Sequence, residues 1–158
     1  MDNLTSLAIK YKADKWGKHH YTPVYYNLFK DRRDSVKKVI EIGTGEGASL
    51  FMWRDFFPHA TIYGADNDKV RATRDYGERI VPILCDQTSQ NALQRLLKIT
   101  DVSIDLFVDD GSHKPEDQVF TFLEIFPKLT KGAMYVIEDV ANERIINIMQ
   151  NKCYMLTV

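Results

Sequence analysis

Val39-Ile40-Glu41-Ile42-Gly43-Thr44-Gly45-Glu46-Gly47-Ala48 runs from an apolar segment, through a turn with glycine at every second position, into a helical pattern. Glycines let the backbone bend tightly and let a ligand approach it closely. A strand that breaks into such a turn and then a helix is the opening unit of a nucleotide-binding α/β sheet. Gly43, Gly45 and Ala48 also fit a dinucleotide fingerprint, in which the helix N-terminus cradles a pyrophosphate. Glu41 favours a different ligand: a carboxylate at the end of this strand repels pyrophosphate and suits a cofactor carrying an ammonium and a sulfonium.

Outward from that stretch, strand and helix patterns alternate. Short β-rich runs stand at 38–42, 61–65, 79–85, 104–109 and 133–138, and helical patterns at 47–57, 69–76, 89–99 and 115–129. The runs are mostly apolar rather than cleanly alternating, as expected of parallel strands covered on both faces. Pro58 closes the first of these helices, Thr88 or Ser89 can cap the third, Pro115 suits the first turn of the fourth, and Gly132 frees the chain to turn. This alternation predicts a doubly wound, mostly parallel sheet with helices on both faces. Residues 37–158 would carry it, with 1–36 as an N-terminal aromatic and polar segment of the same domain. That segment contains a helix over 23–32. The stretch from Ala13 to Tyr21 is too rich in His, Lys and Tyr to be core, and reads either as a loop over the mouth of the site or as a wrapped arm. Residues 153–158 read as a sixth strand, and the sheet ends early there.

The chain has 158 residues, 44% hydrophobic and 27% charged, with a net charge of −1. Those values fit one globular domain. Basic residues are scattered, without the stripe of a nucleic-acid binder. No run is long enough to span a membrane, and the N-terminus is unlike a signal peptide. Cys85 and Cys153 lack metal-ligand spacing and read as buried thiols, which points to a cytoplasmic location. An assembly of identical copies is compatible with this composition.

Two further strand ends carry carboxylates. Ile104-Asp105-Leu106-Phe107-Val108-Asp109-Asp110-Gly111-Ser112-His113 and Tyr135-Val136-Ile137-Glu138-Asp139 each stop abruptly in an acidic pair. Strands four and five are neighbours in this topology, and ligands bind beyond the carboxyl ends. Four acids at one edge repel each other unless a cation lies between them. A sulfonium would answer Asp109, and a divalent cation preferring oxygen, Mg²⁺ first, would answer Asp110, Glu138 and Asp139. Both members of a pair can contribute only if the chain leaves the strand there. Asp66, with Asn67, ends the second strand where a carboxylate can accept ribose hydroxyls. Asp86, with Gln87, follows the third and either meets an adenine amino group or caps the next helix. The aromatic residues Trp53, Phe56 and Phe57, and the stripe Val119, Phe120, Phe122, Leu123 and Phe126, are expected in the core.

On Glu41, Gly43, Gly45, Gly47 and Asp66, the region from Lys37 to Asp139 resembles the class I S-adenosylmethionine-dependent methyltransferases, whose fold is Rossmann-like. In that family the glycine turn, with Thr44, holds the methionine part of the cofactor and the acid after strand two holds the ribose. The acidic strand ends resemble most those of metal-dependent O-methyltransferases acting on sugar hydroxyls of macrolide antibiotics. That resemblance implies Mg²⁺ at Asp110, Glu138 and Asp139, and His113 as the base, although His113 read by itself could simply open a helix. Asp14-Lys15-Trp16-Gly17 with His20-Tyr21-Thr22-Pro23 is similar to the N-terminal region of related sugar methyltransferases, which adds Tyr21 and His20 to the cofactor side. The implied partner is a small hydroxylated acceptor. Alternatives on the same sheet are an NAD-dependent oxidoreductase, a non-catalytic S-adenosylmethionine-binding module, and hydroxylase-like chemistry.

Overall fold

The computed structural model describes residues 1–140. Five parallel strands, β1 (Lys38–Ile42), β2 (Thr61–Asp66), β3 (Ile80–Leu84), β4 (Leu106–Asp109) and β5 (Met134–Ile137), form one sheet in the order β3-β2-β1-β4-β5. The order reverses between β1 and β4, and a crevice opens beyond the strand ends at such a switch point. The expected sixth strand and Cys153 lie outside the described residues.

Alternate residues of each strand go to opposite faces, and the core divides accordingly. Val39, Ile62, Leu106 and Val108 pack under α1 (Asn3–Tyr11), α2 (Thr22–Phe29) and α3 (Ala48–Phe56). Ile40, Ile42, Ala65 and Phe107 pack under α4 (Gln90–Thr100), joined by Ile125 of α5 (Pro115–Ile125). Trp53, Phe56 and Phe57 are fully buried on the first face. The α5 stripe is only partly core: Phe122 is buried, while Leu123 is exposed.

Two expectations are corrected. The 69–76 helix is reduced to a single 3-10 turn over Arg71–Thr73. Its pattern lacked an apolar stripe (Val70 is exposed and Ala72 is its one buried residue in that turn), so no packing offsets the cost of nucleating so short a helix. The stretch from Ala13 to Tyr21, expected to be too polar for the core, buries Ala13 and Lys15, and the helices on either side of it add Leu4, Ala8, Tyr25 and Phe29 to the core. The caps fall largely as read: Ser89 caps α4 and Pro115 opens α5.

Candidate active site

The glycine turn does two separate jobs. Gly43 has φ +85°, and a Cβ there would lie 2.0 Å from the carbonyl oxygen of Asp110. Glycine at this position therefore lets the ends of β1 and β4 meet. Gly45, at φ +50°, has nothing within 4 Å of a would-be Cβ and faces open space. That space is a cleft of about 740 Å³. Of the residues expected at the site, Gly43, Thr44, Gly45, Asp66, Asn67, Asp86, Gln87, Asp110, His113 and Asp139 line it. Glu41, Gly47, Asp109, Glu138 and Tyr21 do not.

Asp66 is fixed by its neighbours. Its Oδ2 accepts from the Thr44 amide at 2.9 Å and the Thr44 hydroxyl at 3.0 Å, and its Oδ1 from the Asp68 amide at 2.8 Å. Asp86 accepts from the Thr88 amide and hydroxyl, so it builds the turn leading into α4 while lining the cleft. Gln87 is a brace. Its amide nitrogen donates to Asp109 Oδ1 at 3.2 Å and its oxygen accepts from the Ser112 amide at 2.7 Å. A Cβ on Gly111 would strike that Gln87 oxygen at 1.9 Å. Asp109 itself is fully buried, against Gln87 and Tyr135, and burial pushes its carboxyl up to about 7. It sits behind Gln87 and does not line the cleft, whereas Asp110 does.

The second strand end parts in the same way. Glu138 turns inward, where Oε2 accepts from Lys15 Nζ at 2.7 Å and Oε1 from the Tyr25 hydroxyl at 2.6 Å. Asp139 has φ +52°, so the chain leaves the strand and its carboxylate reaches the cleft. It accepts from the Tyr21 hydroxyl at 2.7 Å and lies 3.4 Å from His19 Nδ1 and 3.9 Å from His113 Nε2. Partial burial would raise its pKa, but Tyr21 and the nearby imidazoles hold it below the usual carboxylate range. His113 also sits in the left-handed region, at φ +58°. Asp110, His113 and Asp139 each bring one ligand atom within 4.8 Å of the others. Tyr21 thus serves Asp139 directly, and His19, rather than His20, joins it. His20 packs against Trp16, the rings tilted by 42° with centroids 4.8 Å apart.

Sequence reasoning passed over Lys15. Its ammonium is 1% exposed and lies 2.9 Å from Glu41 Oε1, 2.9 Å from Asp110 Oδ2 and 2.7 Å from Glu138 Oε2. Burial opposes the charge, but the three carboxylates outweigh it and hold the amine well above its ordinary range. Glu41 is fully buried beneath the glycine turn, accepting from Ser49 Oγ at 2.8 Å and Trp53 Nε1 at 3.1 Å. The cation expected among the acids is thus in part the chain's own lysine. Applying the same charge balance to the lysines of the sequence, before any ligand, was the signal that could have found it.

The methyltransferase-domain family matches residues 40–140. The 8-demethyl-8-alpha-L-rhamnosyl tetracenomycin-C 2'-O-methyltransferase of Streptomyces olivaceus is 37% identical over 145 residues, covering 87% of this chain and 37% of the relative. The mycinamicin VI 2''-O-methyltransferase of Micromonospora griseorubida is 36% identical over 147 residues, covering 87% of this chain and 36% of the relative. The solved MycE methyltransferase from the mycinamycin biosynthetic pathway, in complex with Mg and SAH, superposes with a TM-score of 0.79 at 36% identity, over 87% of this chain and 37% of that one. The chain therefore spans a little over a third of the length of these relatives. With this match across its whole sheet, the chain belongs to the methyltransferase-domain family and has the Rossmann-like fold of class I S-adenosylmethionine-dependent methyltransferases.

Proposed function

We propose that this chain binds S-adenosylmethionine and Mg²⁺ and transfers the methyl group to a hydroxyl of a sugar-like small molecule. The observation that carries the reading is the convergence of Asp110, His113 and Asp139 at a cleft floored by the glycine turn. The named activities of the relatives, O-methylation of rhamnosyl tetracenomycin and mycinamicin, and the Mg and SAH in MycE, support it. The reading carries a cytoplasmic location, in keeping with Cys85 as a buried thiol.

The donor set suits the metal. Mg²⁺ prefers oxygen, so Asp110 and Asp139 would hold it from the cleft side. Glu138, held by Lys15 and Tyr25 and not lining the cleft, would have to turn to join them. The bound ion would lower the pKa of an acceptor hydroxyl and fix its direction. Open space beside Gly45 leaves room for the methionine part of the cofactor, and Asp66 stands where it can accept from a ribose. His113, an imidazole poorly suited to Mg²⁺, is left to take the acceptor's proton onto Nε2. Asp139, 3.9 Å from that nitrogen, would stabilise the imidazolium that results. The donor methyl is already activated, so alignment of the acceptor is the protein's main task and can contribute about 7–11 kcal/mol.

Calorimetry with S-adenosylmethionine and with NAD tests the cofactor, and NAD binding alone would overturn the reading. Asp110→Ala is expected to abolish Mg²⁺-stimulated methyl transfer while cofactor affinity stays within a few-fold. Equal loss of both would move Asp110 into the cofactor's surroundings instead.

A further inference from the structure

Lys15 is a fully buried cation that the proposed methyl transfer does not use. Its three carboxylate neighbours come from the ends of three adjacent strands: Glu41 in β1, Asp110 just after β4 and Glu138 just after β5. The ammonium donates to Asp110 and Glu138 and lies in ion-pair contact with Glu41. The main chain around it is closed, because the Lys15 carbonyl accepts from the amides of Tyr21 and Thr22 at 3.0 and 3.3 Å. The segment that bears Lys15 thus also brings Tyr21 to Asp139 and Tyr25 to Glu138.

Asp110 faces both Lys15 and the cleft. Oδ2 is taken by Lys15 at 2.9 Å, while the carboxylate also lines the cleft and belongs to the trio with His113 and Asp139. We infer that Lys15 is a positioning residue: by tying one oxygen of Asp110 to Glu138 and Glu41, it aims the other at the divalent cation. The inference rests on the metal-binding reading above. An ammonium offers three donors around a point, which suits three converging carboxylates, whereas a planar guanidinium does not. One positive charge among three carboxylates leaves the cluster negative, so Lys15 orders the acids without cancelling their attraction for a further cation.

Two simpler roles make opposite predictions. If Lys15 only stabilised the fold, its loss would lower the melting temperature and leave metal affinity unchanged. If it competed with the metal for the acids, its loss would tighten binding. As a positioning residue its removal weakens binding, as loss of a partner that orients a metal ligand weakens affinity by about 10- to 100-fold.

The experiment is Mg²⁺ titration by calorimetry of the wild-type chain and of Lys15→Met, alongside thermal melts and S-adenosylhomocysteine titration. The expected result is Mg²⁺ affinity reduced by about 10- to 100-fold, with S-adenosylhomocysteine binding retained. Unchanged or tighter Mg²⁺ binding by Lys15→Met would overturn the inference while leaving the metal reading intact. Failure of the wild-type chain to bind Mg²⁺ would overturn both. A second measurement needs no variant. In ¹⁵N-labelled wild-type protein the Lys15 ammonium, shielded from solvent, is expected to give a slowly exchanging signal that persists when Mg²⁺ saturates the site. Its disappearance on saturation would mean that the ion displaces Lys15, and the inference would fail.

Discussion

Gly43 and Gly45 stand two residues apart, both with positive φ, yet a methyl group would do different damage at each. At Gly43 it would collide with the Asp110 carbonyl, a backbone atom that cannot step aside. Overpacking and the left-handed conformation together should cost about 2–4 kcal/mol for Gly43→Ala, read as a lowered urea midpoint. Gly45→Ala meets nothing within the protein, so its cost should be confined to the conformational term, about 1–2 kcal/mol. Its larger effect is expected on S-adenosylhomocysteine affinity, because the methyl group enters the cleft. Similar affinity losses in both variants after correction for stability would remove that distinction. For His113→Ala the expectation is a fall in turnover of about 10²–10⁴ with Mg²⁺ affinity within a few-fold. A parallel fall in Mg²⁺ affinity would make His113 a ligand rather than a base.

Helices α1 and α3 are joined at their exposed rim through Asp55, which accepts from the Tyr11 hydroxyl and from Lys10 Nζ at 3.1 Å, and pairs with Arg54 at 2.9 Å. Partial burial would raise its pKa, but those donors lower the carboxyl to about 2. A carboxyl depressed in the folded state contributes stability above its unfolded value near 4, and that contribution is lost as pH falls towards 2. With solvent screening it amounts to about 1 kcal/mol. Asp55→Asn should therefore destabilise the chain at pH 7 by about that much and by nothing measurable at pH 2, in denaturant melts at the two pH values. An equal loss at both would mean that the group acts through packing. At this same scale the strands were legible in sequence, because a short, mostly apolar run bounded by Gly, Asp and Pro has few other homes. The 69–76 segment had helix formers but no apolar stripe, and without packing on the sheet they make one 3-10 turn.

Across the whole molecule, α1 and α2 are as much a part of the core as the sheet itself. Leu4, Tyr25 and Phe29 alone, at about 1.5–3 kcal/mol each, represent about 5–9 kcal/mol of burial, comparable to the entire net stability of a domain. A chain lacking residues 1–36 is expected to show no cooperative thermal transition. A sharp melt in that truncated chain would mean that the N-terminal segment is a separate unit. This is also where the sequence was hardest to read. The glycine turn, Asp66 and the two acidic strand ends are local patterns, visible in ten residues each. Lys15 acquires its meaning only from Glu41, Asp110 and Glu138, residues 26 to 123 positions away, and a lysine among histidines and tyrosines reads locally as surface. Glu41 was read as an acid facing the positive groups of a cofactor, and in the fold it faces that lysine.

Trp53 donates its indole N–H to Glu41, and the Lys15 ammonium lies 5.9 Å from its ring. The chain has two tryptophans, and the other, Trp16, packs against His20 nearer the surface. Indole emission responds to charges fixed beside it, so Trp53 acts as an intrinsic optical reporter wired to the acidic cluster. In Trp16→Phe, the remaining fluorescence would let ion and nucleoside occupancy be followed by light, in real time and without a label.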